Sequence, residues 1–252
     1  MEDTTGKPMR SSALLIGIID RPRAALAYVL AHPRWKWLLP GLLCLAATAL
    51  LLMVSAEELS RQAAQQQAAA MQALGDQMQT MTAAQQEQMR QQMARFSSPQ
   101  FLAATTFVTG ALGLVVGWLF AAGLLFIGLA IGGGELKYAP LVAAVSWTWL
   151  PFALRSLVDA GWVLATGAVR VNPGLSYFFS TGDLVADAGN LLWLLAGQVD
   201  LFWLWHLALI YALIKAARPR GGAWALTIVY AMVYLAVRVA PSLLAARLSF
   251  GL

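Results

Sequence analysis

The sequence predicts an all-α polytopic membrane protein: five transmembrane helices in a bundle, an N-terminal interfacial helix and an extracytoplasmic helical hairpin. Three observations carry this fold class. Hydrophobic residues make up 60% of the chain and charged residues 12%, against roughly a quarter charged in ordinary soluble domains. Several apolar runs exceed the ~18–20 residues needed to cross a hydrocarbon core. Between two of those runs lies a polar, glutamine-rich stretch with the composition of a soluble helix.

Residues 1–19 read as a cytoplasmic tail. At 20–36, Asp20-Arg21-Pro22 opens a short helix with Asp20 as its cap, ending before Pro33. Ala24, Leu26, Ala27, Tyr28 and Leu30 make it largely apolar, and Arg34, Trp35, Lys36 and Trp37 close it with an aromatic and basic belt. Such a helix is expected to lie on the inner leaflet. The membrane domain, 37–252, begins with a span over about 37–56. Val54-Ser55-Ala56 resembles a cleavage site, but the apolar run is longer than a signal peptide's and too many residues precede it, so the span is read as retained. Cys44, the single cysteine, sits inside this run and excludes an internal disulfide.

The insert 57–98 follows. One continuous helix from Glu57 to Ser97 would be roughly 60 Å long at ~1.5 Å per residue and would carry the chain far from its re-entry point. A hairpin is therefore expected, turning within 75–82, with Thr82 and Gln85 spaced as a capping box for the second arm. Leu74, Met78 and Met81, then Met89, Met93 and Phe96, fall at spacings of three and four and, with Met71, form an apolar stripe. That stripe either seals the two arms together, docks a partner through adaptable methionines, or lies in the outer headgroup layer.

Span two, about 101–131, opens at Ser98-Pro99, a side-chain cap with a proline in the first turn. Gly113/Gly117 and Gly128/Gly132 are small-xxx-small pairs, suited to close helix packing within the chain or, alternatively, to a homo-oligomer. Span three, about 141–167, contains Pro151, which removes a hydrogen bond to the Trp147 carbonyl and should kink the helix. Spans four and five cover about 201–217, capped by Asp200, and 223–248. The segment 184–198 ahead of that cap is a candidate outer counterpart of the interfacial helix.

Orientation follows from lysine and arginine in the loops. Lys7, Arg10, Arg21, Arg23, Arg34, Lys36, Lys137, Lys215, Arg218 and Arg220 fall on one side, which should be cytoplasmic. Arg61, Arg90, Arg95, Arg170 and Arg247 fall on the other, mixed with Asp183, Asp187, Asp200 and other acids. The amino terminus is then inside, and the carboxyl terminus and the insert outside.

Three ionisable groups, Arg155, Asp159 and Arg238, lie at membrane depth. Arg155 and Asp159 are four apart on one helix face, and burying either alone would cost about 3 kcal/mol, so they are expected to pair. Arg238 either shares Asp159 or snorkels outward. Together they read as a charge cluster locking spans three and five, or as a proton or substrate path. His206 reads as a packed or interfacial histidine.

No Gly-x-Ser-x-Gly elbow, His-Glu-x-x-His, phosphate loop or dinucleotide fingerprint is present. With His32 and His206 the only histidines, no catalytic residue, cofactor or metal site is expected, and nothing suggests nucleic-acid binding.

Three segments resemble the bacterial branch of the Yip-domain (Ypt-interacting protein) family: DRPRAALAYVLAHPRWKWLLP, a glycine-rich turn followed by AAVSWTWLP, and DLFWLWHLALIYALIKAARP. The insert MTAAQQEQMRQQMARFSSPQF is similar to the outer loop of that branch. Pro22, Pro33, Gly132–Gly134, Pro151, Phe202 and Trp205 carry the match, while Tyr211-Ala212 departs from it where the family often has glycine. The resemblance implies five spans, an internal amino terminus and no catalytic residues. It also implies the bacterial cytoplasmic membrane and, for some members, a place beside ABC exporters and their periplasmic adaptors. The long cytosolic region with which eukaryotic members act as Rab adaptors is largely missing.

The leading functional expectation is a non-enzymatic scaffold or accessory subunit whose external hairpin binds an exporter permease or its periplasmic adaptor. A small transporter or lipid-handling protein using Arg155, Asp159 and Arg238 is the alternative, with a membrane-trafficking adaptor behind it.

Overall fold

The computed structural model describes residues 11–73, 82, 84–85, 87–88, 91–92, 98–133, 137–218 and 221–250. Of the described residues, 84% are helical and none is in a strand. The helices are α1 (Ser11–Asp20), α2 (Pro22–Ala31), α3 (Leu38–Ala73), α4 (Pro99–Ile131), α5 (Tyr138–Thr148), α6 (Leu150–Thr166), a 3-10 turn at Ser176–Phe179, α7 (Leu184–Gly189), α8 (Leu191–Gln198), α9 (Leu201–Ala217) and α10 (Ala223–Phe250).

Among the described residues, four stretches are long and apolar enough to cross a membrane: Leu38–Arg61, Gln100–Ile131, Tyr138–Thr166 and Ala223–Leu244. α9 alone has 17 residues, about 25 Å at ~1.5 Å per residue, short of a hydrocarbon core. A fifth span exists only if α8 and α9, bent by 64°, cross together. The bend has a local cause. Asn190 caps α8 by accepting from Leu192 N and Trp193 N, whereas Asp200 starts a new helix at α9 by accepting from Trp203 N at 2.8 Å.

Contacts divide the chain into two compact units, one of Met1–Leu45, Val115–Arg155 and Val171–Leu252, the other of Ala46–Leu114 and Ser156–Arg170. In the first, α2 packs against α9 and α5. Leu26, Val29, Leu141, Trp147, Ile210 and Leu213 are sealed from solvent there. α2, expected on the leaflet surface, thus has a protein-facing side of Ala25, Leu26 and Val29, while Arg23, Ala24 and Ala27 stay exposed. Asp20 is the last residue of α1 and does not cap α2, whose N-cap Arg21 makes no side-chain cap bond. α1 itself replaces part of the expected tail: Leu14 and Ile18, one helical turn apart, are buried, and α1 packs on α2.

In the second unit, Ala47, Leu52, Ala160 and Val163 are buried. Glu57 and Glu58 pair with Arg61 at 3.4 and 3.7 Å, one turn along α3. α3 runs without a break from Leu38 past Arg61 to Ala73, so the apolar span and the first polar arm are one helix. Thr82 and Gln85 form the expected capping box: Thr82 N donates to Gln85 Oε1 at 3.0 Å and Gln85 N to Thr82 Oγ1 at 3.4 Å. Residues 84–85, 87–88 and 91–92 are helical. Leu74, Met78, Met81, Met89 and Met93 lie outside the described residues, as does most of the stretch 75–82 where the turn is expected. Met71 is described only as backbone of α3.

Candidate functional site

Pro151 has no N–H to give, and the helix of span three breaks just before it. α5 ends at Thr148, Trp149 takes φ −91° and ψ −4°, and α6 restarts with Pro151 in its first turn. Phe152 N donates to Trp149 O at 3.0 Å rather than one residue further back. The Thr148 carbonyl is thereby released from the helix, and His206 Nδ1 sits 2.6 Å from it. A carbonyl only accepts, so Nδ1 carries the proton and Nε2 is the acceptor for the Tyr230 hydroxyl at 2.8 Å. The break thus creates a seat for His206, which joins α5, α9 and α10. The sequence pattern pointed to a freed acceptor at this break but placed it on Trp147.

His206 is fully buried. Four rings surround it, with centroids at 4.9 Å for Phe152, 5.6 Å for Tyr230 and 6.0 Å for both Trp149 and Tyr234. Phe152 and Tyr234 stack in parallel at 6.3 Å. Both histidine nitrogens are occupied and the walls are aromatic, an arrangement that holds three helices together.

Tyr234 connects this cage to charge, lying within electrostatic reach of Arg238, Arg155 and Asp200. Arg155 Nη1 pairs with Asp200 Oδ2 at 3.0 Å, both side chains mostly buried, while the other Asp200 oxygen caps α9. Asp159 instead pairs with Arg170 at 3.2 Å, and that guanidinium lies 5.5 Å from the Trp162 ring. Arg238 Nε donates to Gln198 Oε1 at 3.4 Å. The fold adds partners that the expected cluster did not name: Asp200, from the start of α9, for Arg155, and Arg170 for Asp159. The ion pair joins α6 to the start of α9, and Arg238 of α10 meets Gln198 at the end of α8 through its side-chain amide.

The glycines are used as seats for side chains. A methyl at Gly117 would meet the Trp149 ring at 2.6 Å, one at Gly128 would meet Leu226, and one at Gly132 would meet the Arg218 guanidinium. Gly113 has nothing within 4 Å within the chain.

Between the spans, Asp187 organises the 3-10 turn and α7. Ser180 Oγ, Thr181 N and Thr181 Oγ1 donate to its carboxylate at 2.6, 2.8 and 2.9 Å. The Ser180 hydroxyl foremost, then the Thr181 donors, hold its carboxyl below the usual range against the opposing effect of burial. Gly174, at φ +58°, lets the chain press against the Val199, Ala196 and Gly197 carbonyls at the end of α8. Nothing in the sequence pattern announced either feature. Among the described residues no group of histidine, cysteine and carboxylate side chains is placed to hold a metal ion.

The model of the Yip1 domain family matches residues 16–243. Neither the curated proteins nor the solved structures contain a match to this chain.

Proposed function

The chain belongs to the Yip1 domain family, and from that membership we propose that it is a non-enzymatic scaffold or accessory subunit, docking a partner protein through the polar insert 57–98. One observation carries this reading. α3 leaves its apolar window at Arg61 and continues unbroken to Ala73, which supports a helical arm standing clear of the lipid. A second arm starts at the Thr82–Gln85 capping box.

The partner we infer is the permease or periplasmic adaptor of an ABC exporter in a bacterial cytoplasmic membrane. On this reading the amino terminus is inside, the insert outside, and an odd number of crossings puts the carboxyl terminus outside. The transporter alternative draws on Arg155, Asp159 and Arg238, and the pairing of Arg155 with Asp200 and of Asp159 with Arg170 weighs against it. Family ties to membrane trafficking favour an adaptor as the second reading.

The test is deletion of residues 62–95 with a short glycine-serine linker joining the ends. Cross-linking in native membranes followed by mass spectrometry should lose the exporter components while the membrane domain stays folded. An unchanged cross-linked set would end the proposal.

A further inference from the structure

The turn between α2 and α3 carries the one backbone outlier among described non-glycine residues: Trp35, at φ +56°. A bulky side chain in the left-handed region is a genuine outlier, and such strain collects where the conformation itself is used. The turn is built to hold it. His32 N donates to Tyr28 O at 2.9 Å, Lys36 N to Pro33 O at 3.2 Å and Leu38 N to Trp35 O at 3.1 Å. From α5, the fully buried Trp147 donates its indole N–H to Lys36 O at 3.0 Å, tying the turn to the core. Tyr28 stacks on His32 at 4.5 Å, and Lys36 Nζ lies 5.6 Å from the same ring.

The fold thus spends its rigidity on presenting a tryptophan outward, for Trp35 is 72% exposed. Trp37, next to the start of the apolar span, is 43% exposed, and Arg34 is exposed beside them. Tryptophan prefers the headgroup level, and arginine offers planar paired donors to phosphate. We propose that this turn is a binding site for an anionic phospholipid. The Arg34 guanidinium and the Lys36 ammonium engage the headgroup phosphate, and the Trp35 ring lies among the glycerol and upper acyl carbons. Three features favour lipid as the occupant: cations beside apolar rings, continuity with a membrane span, and a fixed turn that presents the ring without rearrangement. This inference is independent of the insert and its partner.

The experiment uses the full chain, reconstituted in nanodiscs of mixed phosphatidylglycerol and phosphatidylethanolamine. Native mass spectrometry then counts the lipids retained after gentle release. Wild type should enrich phosphatidylglycerol over its bulk share, with Arg34→Gln lowering retention about fivefold and Arg61→Gln, at the other end of α3's apolar window, leaving it unchanged. Trp35→Phe should keep the enrichment. Trp35→Gly should abolish it while the melting temperature holds or rises, because glycine adopts this φ without strain. That pairing separates lost binding from lost folding. Enrichment that survives both Arg34→Gln and Trp35→Gly would overturn the proposal. Complete displacement by excess inorganic phosphate would also overturn it, marking a site for the free ion.

Discussion

Removing the ring of His206 tests whether the proline break and the histidine form one structural device. His206→Phe keeps an aromatic body in the cage but leaves the Thr148 carbonyl and the Tyr230 hydroxyl without the bonds they make at 2.6 and 2.8 Å. A buried group stripped of its partner costs about 1–3 kcal/mol. The single variant should therefore lose about 2–5 kcal/mol. Tyr230→Phe removes only the hydroxyl and leaves Nε2 waiting, for about 1–2 kcal/mol. In the double variant only Thr148 is left stranded, so its loss should fall short of the sum. The shortfall measures the His206–Tyr230 bond, and interhelical bonds in lipid average about 0.6 kcal/mol with a ceiling near 1.7. Reversible unfolding in bicelles, followed by tryptophan fluorescence, reads all four corners of the cycle. Additivity within about 0.3 kcal/mol would refute the bond as a stabilising contact.

Other consequences can be measured on the same preparation. Gly117→Leu should destabilise by about 1–3 kcal/mol because the Trp149 ring occupies the needed space, whereas Gly113→Leu, facing nothing within 4 Å, should be near neutral. Asp200→Asn keeps a good cap and loses the ion pair with Arg155, while Asp200→Ala loses both; the difference between them should be about 1 kcal/mol, the cap alone. Asp187 has a depressed carboxyl pKa, so its contribution is fully present above the ordinary value of 3.8 and is lost as pH falls through the lower folded value. Hydrogen exchange at Thr181 and Gly182 should accordingly stay slow through mild acid and speed up only below it. In Asp187→Asn those amides should exchange fast at every pH.

Most local signals in the sequence were read well because each acts within one turn of helix; Asp20, expected to cap α2, is the exception, because it is the last residue of α1. Ser98 caps α4 by accepting from Phe101 N, Asp200 caps α9, Thr82 and Gln85 close their box, and Pro151 breaks span three where its missing N–H requires. What went unread depends on other elements. Arg155 meets Asp200 from 45 positions away, and helical spacing alone points to a neighbour four away. The seat for His206 exists only when the end of α5 meets α9. α1 was taken for tail because its ten residues show little amphipathic contrast, and only contact with α2 gives Leu14 and Ile18 somewhere to hide. The glycines of α4 were recognised as small, but what fills each one is a tryptophan, a leucine or an arginine from elsewhere.

The unbroken passage of α3 through Arg61 has a metric consequence. Twelve further residues to Ala73 give the arm a reach of about 18 Å at ~1.5 Å per residue, with no joint along the way. On the proposed reading, in which this segment stands outside the lipid, a stiff rod of fixed height acts as a gauge. It would meet a partner surface held at that elevation and miss one lying flush with the headgroups, so inserting or removing a single helical turn, about 5.4 Å, would detune it while leaving its chemistry intact.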